Sequence, residues 1–153
     1  MQSRRPGEIS PELREHHDLL LCVSGGKDST AMALWLHYES GLKNRKFLVW
    51  CDTGHEHPHT IDHVHKLADE LGQRLWVVRG EYKFVTLCEN KRRFPSPKAR
   101  FCTEDLKVLP MSEWIAEHYG RGIIDHPVLV QGIRRQESDR RSTAALWDSN
   151  NSG

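Results

Sequence analysis

The chain has 153 residues, of which 37% are hydrophobic, and its 22 Lys and Arg balance 21 Asp and Glu to a formal net charge of +1. That length fits one domain with a real core, and near-neutrality gives no global pull toward nucleic acid or an anionic membrane. No run approaches the ~20 apolar residues that cross a bilayer, and residues 1–8 lack the apolar centre of a signal peptide, so a cytoplasmic protein is the expectation.

Residues 1–17 read as a polar leader with two prolines, Pro6 and Pro11, and a short helix over 11–17. The apolar run 19–23 then reads as a strand that passes directly into Ser24-Gly25-Gly26-Lys27-Asp28-Ser29-Thr30 and a helix over 28–38 carrying Ala31, Met32, Leu34 and Trp35. A turn of this kind aims backbone N–H groups at one spot, and the helix start adds partial positive charge, which suits phosphate or another oxyanion. Gly25 and Gly26 let a ligand approach the backbone. Ser24, Ser29 and Thr30 bring hydroxyls, Lys27 a mobile cation, and Asp28 a carboxylate able to hold Mg²⁺ or cap the helix. The spacing is neither that of the common phosphate loop nor that of the dinucleotide fingerprint. It resembles the Ser-Gly-Gly-x-Asp-Ser loop of the pyrophosphatase-type (PP-loop) nucleotide enzymes.

Residues 47–51 form a second apolar run, closed by the turn Asp52-Thr53-Gly54. A helix over 58–71 stripes Ile61, Val64, Ala68 and Leu71 on one face and stops at Gly72. Residues 75–78 read as the third strand, and 80–100 as irregular, with Pro95 and Pro97 in a basic loop. Thr103 reads as an N-cap with Glu104 and Asp105 in the first turn. Beyond Pro110, the spacing of Met111, Trp114, Ile115, His118 and Tyr119 is helical. Residues 128–130 make a fourth strand leading into Gly132-Ile133-Arg134-Arg135, and 148–153 are a polar tail whose abrupt end fits a longer parent chain. Alternating strands and helices predict a three-layer α/β fold, a mainly parallel sheet of about four or five strands flanked by helices. Ligands of such sheets sit at the carboxyl ends of the strands, and here residues 24–29, 52–54, 79–80 and 132–135 gather their polar chemistry at those ends.

Cys22, Cys51, Cys88 and Cys102 are scattered, and Cys22 and Cys51 read as small core residues within strands. Of His55, His57, His59, His63 and His65, only His59 and His63 share a helix face as metal ligands do, and no thiol or carboxylate completes a set, so the segment reads as a solvated helix start. Lys91, Arg92, Arg93, Lys98 and Arg100 surround Phe94 and Phe101 in a composition that can grip single-stranded nucleic acid. Arg100 reads better as a lid over an anionic nucleotide, and the others as a solvated loop. Trp35, Trp50 and Trp114 read as core.

Four segments in order carry a more specific resemblance: Ser24-Gly-Gly-Lys-Asp-Ser29, Asp52-Thr-Gly-His-Glu-His-Pro-His-Thr60, Lys98-Ala-Arg-Phe-Cys-Thr-Glu-Asp-Leu-Lys107 and Gly132-Ile-Arg-Arg-Gln-Glu-Ser-Asp-Arg-Arg141. Over about residues 18–143 they resemble the phosphoadenosine phosphosulfate reductase family, within the adenine nucleotide alpha hydrolase-like, PP-loop ATP pyrophosphatase superfamily. The resemblance implies a nucleotide-binding domain over 18–147. Ser24, Gly25, Gly26, Lys27, Asp28 and Ser29 would hold the phosphate or sulfate end of the nucleotide, and Asp52 and Thr53 would lie near its ribose and adenine. Arg100 and Lys107 would belong to a segment closing over the anionic end, Gly132 would leave room for the nucleotide, and Arg134 would face its phosphates. Arg140 and Arg141 are further anion contacts on the same grounds. Lys27, Asp28 and Arg134 would carry the catalysis.

The implied activity is cleavage of ATP to AMP and pyrophosphate, with Mg²⁺ at Asp28, or action on phosphoadenosine phosphosulfate in sulfur metabolism. A thiol donor or a nucleic-acid acceptor would be the second substrate, and a homo-oligomer or complex subunit the expected assembly. A nucleotide-binding module without chemistry and a subunit of a nucleic-acid sulfur-modification system are the alternatives. Sulfonucleotide reductases that attack the sulfate carry a cysteine in a carboxyl-terminal Glu-Cys-Gly-type segment, and this chain stops before one. Those with an iron–sulfur cluster carry adjacent cysteines where Phe101 and Cys102 stand here, and a later Cys-x-x-Cys. Neither a reductive thiol nor a cluster is expected in it.

Overall fold

The computed structural model describes residues 13, 15–96 and 98–133. Its strands are β1 (Asp18–Val23), β2 (Lys46–Cys51), β3 (Leu75–Val78) and β4 (Pro127–Gln131). They form one sheet in the order β3-β2-β1-β4, and every pairing is parallel. Leu19 aligns with both Lys46 and Val128, Val23 with Trp50, and Cys51 with Val78. The register therefore keeps the strand ends level, and the segments after all four strands emerge on one rim.

Side chains alternate along each strand, so two cores form. On one face Leu19, Leu21, Val23, Leu48 and Trp50 meet Ala33, Leu36, Val64, Leu67 and Leu71, which come from α1 (Lys27–Tyr38), α2 (Pro58–Glu70) and its C-cap. On the other, Leu20, Val49 and Val78 meet Met111, Trp114 and Ile115 of α5 (Leu109–Gly120). The result is a three-layer, Rossmann-like α/β fold, as the strand–helix alternation predicts. At the rim opposite the loops, buried Asp18 accepts two bonds from Arg45, at 2.8 and 2.5 Å, and a third from the Asp125 amide at 2.6 Å. This ties the starts of β1, β2 and β4.

Three expectations fail at the level of elements. Residues 80–100 contain a helix, α3 (Phe84–Lys91). Lys83 gives it no side-chain cap and left-handed Arg92, not glycine, ends it, so neither punctuation mark is present in the sequence. Thr103 is not an N-cap: its backbone is already helical and makes no side-chain cap. The helix begins earlier, as α4 (Phe101–Thr103), continues through a π-helical segment (Glu104–Val108) and runs on as α5. Pro110 does not break it. The ring of an interior proline clashes with the carbonyl four residues back, and here the wider π turn, in which the Leu109 N–H reaches the Glu104 carbonyl, lies directly before it. Of the leading helix expected over 11–17, residues 15–16 form a turn and His17 belongs to no element, while 11, 12 and 14 lie outside the described residues, as do the leader before them and the 148–153 tail.

Candidate functional site

The loop between β1 and α1 is built around one carbonyl. Gly26 O accepts from the Thr30 N–H, from Ser29 Oγ and from Thr30 Oγ1, each at 3.0 Å. Ser29 Oγ also receives the Ser24 N–H at 3.1 Å and lies 3.2 Å from Ser24 Oγ. A hydroxyl has one proton and two lone pairs. With the Ser29 proton on Gly26 O, both lone pairs are taken by Ser24, so buried Ser29 acts as the internal brace of the loop. The helix ladder begins at Thr30, which leaves the amides before it outside that ladder, at the positive end of α1. Lys27 and Asp28 stand in this first turn, Lys27 exposed and Asp28 half-buried.

The glycines of the site have different causes. Gly25 has φ +74°, and a Cβ there would lie 2.6 Å from Thr60 Cγ2 of α2. Gly132, just past β4, would place a Cβ 2.5 Å from the Asp28 carbonyl oxygen. The room it leaves is thus filled by the backbone of the loop itself. Gly26 has φ −84°, and a Cβ would meet only Ser24 Oγ at an ordinary 3.5 Å. Nothing in the described fold demands glycine at that position.

One strand over, Asp52 accepts from the Gly54 N–H and from Arg79 Nε, both at 2.9 Å, linking the turn after β2 to the end of β3. Thr53 Oγ1 donates to Glu56 Oε1 at 2.8 Å, and its carbonyl accepts the Phe84 N–H at the start of α3. Beside this turn opens a cleft of about 250 Å³ walled by Thr53, His55, Glu56, Phe84, Cys102, Thr103, Leu106 and Lys107. The His55 and Phe84 rings stack across 5.3 Å. Lys107 reaches the cleft because the π segment carries it there, and Gly80 accommodates that segment, since a Cβ would lie 2.9 Å from the Asp105 carbonyl oxygen. The thiol of Cys51 donates to the Lys107 carbonyl at 4.0 Å.

Two groupings of the expected residues therefore emerge: residues 24–29 with Gly132, and Thr53 with Lys107 in the neighbouring cleft. Asp52 ties the turn after β2 to the end of β3. Arg100 is exposed as the N-cap residue of α4; Arg134, Arg140 and Arg141 lie outside the described residues. His55, Glu56 and Phe84 were not singled out as site residues from the sequence; His55 and Glu56 sit inside the quoted Asp52 segment, which was the available signal, whereas Phe84 had none. The histidines each take separate work. His57 Nδ1 accepts the His59 N–H as the N-cap of α2, and His63 Nε2 lies 2.9 Å from Thr30 Oγ1. Among the described residues, no three His, Cys, Asp or Glu side chains converge as metal ligands. Burial, with a smaller push from Cys51, drives the Cys22 thiol up to about 12, and burial also raises Cys51 against the opposing charge of Lys107. Both remain neutral thiols near pH 7.

Residues 18–152 match the family model of the phosphoadenosine phosphosulfate reductase domain. An uncharacterized 37.8 kDa protein in the gpa 5′ region of Escherichia phage 186 is 29% identical over 178 residues, covering 84% of this chain and 51% of that protein. Two uncharacterized proteins of Methanocaldococcus jannaschii are 29% and 31% identical, with 82% and 77% of this chain aligned to 24% and 26% of theirs. The chain thus spans about half the length of the phage relative and about a quarter of the archaeal ones. No helix among the described residues is long and apolar enough to cross a membrane. With the level parallel rim, the glycine loop after β1 and the match along nearly the whole chain, this protein belongs to the phosphoadenosine phosphosulfate reductase domain family.

Proposed function

We propose that the domain binds ATP with its phosphates over residues 24–29 and cleaves it on the α-phosphate side. The observation that carries this reading is Gly26 at the N-cap of α1: the space a side chain would take there meets only Ser24 Oγ, at an ordinary 3.5 Å, and no clash requires glycine. Anion approach to the backbone explains that space. The loop amides and Lys27 would stabilise charge developing on departing pyrophosphate, with Arg134 supporting them from beyond β4. An acceptor oxygen or other nucleophile bonds to the α-phosphorus, the bond from that phosphorus to the bridging oxygen breaks, and its electron pair leaves with pyrophosphate. With water as acceptor the products are AMP and pyrophosphate. The cleft beside Thr53 and Lys107 is the natural seat for the acceptor, one strand away from the loop.

A single carboxylate, Asp28, stands in the loop, the donor type and number that Mg²⁺ takes when nucleotide oxygens complete its shell. Bound there, Mg²⁺ would offset the triphosphate charge. Incubation with ATP and Mg²⁺, followed by product identification, tests the reading. AMP with pyrophosphate supports it, ADP with phosphate counts against it, and tight binding without turnover makes the domain a nucleotide-binding module. Formation of sulfite from phosphoadenosine phosphosulfate and an added thiol would move the cradle to the sulfonucleotide.

A second reading makes the acceptor a single-stranded nucleic acid in a sulfur-modification system. Phe94 favours it: the ring is 77% exposed in the same stretch of chain as Lys91, Arg92, Arg93, Lys98 and Arg100, leading into the cleft wall, with Lys91 and Arg93 lying over the Phe101 ring.

A further inference from the structure

We propose that His63 of α2 is a positioning residue for the anion loop, acting through Thr30. Thr30 Oγ1 stands 3.0 Å from the Gly26 carbonyl and 2.9 Å from His63 Nε2. The threonine has one hydroxyl proton, and a carbonyl can only accept it. When His63 carries its proton on Nε2, that N–H donates into a lone pair of Oγ1 and the threonine proton goes to the Gly26 oxygen, beside the Ser29 hydroxyl and the Thr30 N–H. His63 in this tautomer keeps the threonine proton on Gly26. In the other tautomer, Nε2 would compete for it.

The Gly26 carbonyl matters because of what shares its peptide plane. In a trans peptide the C=O and the following N–H point in opposite directions. Ser29, Thr30 and the helix ladder all pull the Gly26 oxygen toward the body of α1. The Lys27 N–H is thereby aimed out of the helix start, ahead of the ladder that begins at Thr30. α2 grips the same loop a second time where Thr60 lies against Gly25. His63 and Thr60 thus bind one helix to the loop at two points, and the first fixes the direction of an amide.

This inference rests on the reading of residues 24–29 as the phosphate site, and its test separates the two. Binding of ATP·Mg²⁺ is measured by calorimetry for the wild-type chain and for Lys27→Ala, His63→Leu, His63→Gln, Thr30→Val and Thr30→Ser, with the melting temperature of each. The tautomer of His63 is read from nitrogen-15 shifts of the imidazole. The expected results are an Nε2–H imidazole, about fivefold weaker binding for His63→Leu and about tenfold for Thr30→Val, at melting temperatures near that of the wild type. His63→Gln, whose amide can donate, and Thr30→Ser, which keeps the hydroxyl, should recover most of the loss. An Nδ1–H tautomer, or His63→Leu binding as tightly as the wild type while Lys27→Ala is impaired, overturns the role of His63 alone. A wild-type chain that does not bind ATP, or binds it with no effect of Lys27→Ala, overturns the phosphate-loop reading and this inference with it.

Discussion

At the scale of single residues, two glycines on the same rim are expected to fail in opposite ways. Gly132→Ala drives a Cβ into the backbone of Asp28, which cannot swing aside as a flexible side chain would. Chemical denaturation should show a loss of about 1–3 kcal/mol. Gly26→Ala meets no such obstacle, so its stability should stay within about 1 kcal/mol of the wild type, while ATP affinity measured by calorimetry falls at least about tenfold. If both variants lose stability alike, Gly26 is a structural glycine and the space beside it has no ligand meaning. Cys22 gives a pH signature. Its folded thiol ionises near 12, well above a thiol in the unfolded chain at about 8.5. Between those values the native state holds a proton that the unfolded state has lost, so stability falls as pH rises through this window and is fully present below it. Urea melts at pH 7 and pH 10 should show the decline, and Cys22→Ala should make it shallower, leaving the part that the raised Cys51 thiol contributes.

Elements show where reading a sequence locally succeeds and where it stops. β3 was legible to the residue, and α1 and β4 to within one at each end, because continuous apolar runs and the glycine turn mark them. α3 was not, since its polar face, its uncapped start at Lys83 and its left-handed end at Arg92 look like loop. The π segment was invisible for another reason: it answers to Pro110 on one side and to the space over Gly80 on the other, and neither is a local propensity. The basic stretch after α3 has its own prediction. If it receives a single strand of nucleic acid, Phe94→Ala should weaken the gel-shift affinity about tenfold with an unchanged salt slope, the loss of one base stack. Replacing Arg92 and Arg93 by alanine should reduce the slope itself. Equal binding by Phe94→Ala and wild type would remove the second reading of function.

At the scale of the whole molecule, Asp18 ties the starts of β1, β2 and β4 at the rim opposite the loops. Asp18 is buried while Arg45 is 60% exposed, and the two are expected to respond unequally. Arg45→Ala strands a buried carboxylate, at a cost of about 3 kcal/mol. Asp18→Ala leaves a guanidinium that water can solvate, at about 2 kcal/mol. Denaturant midpoints in the reverse order would show that the latch is not governed by desolvation.

The amino-acid order alone determined the fold class, the parallel sheet and the position of the glycine loop after β1, because apolar periodicity and a glycine turn after a strand are local features. It did not determine what each glycine and histidine touches. Gly25 against Thr60, Gly132 against Asp28, and His63 against Thr30 join residues from 33 to more than a hundred positions apart. Such contacts exist only once parallel strands have brought their ends together. The cleft wall of His55, Phe84 and Lys107 has the same origin, being assembled from segments after β2 and β3 that no short window of sequence contains.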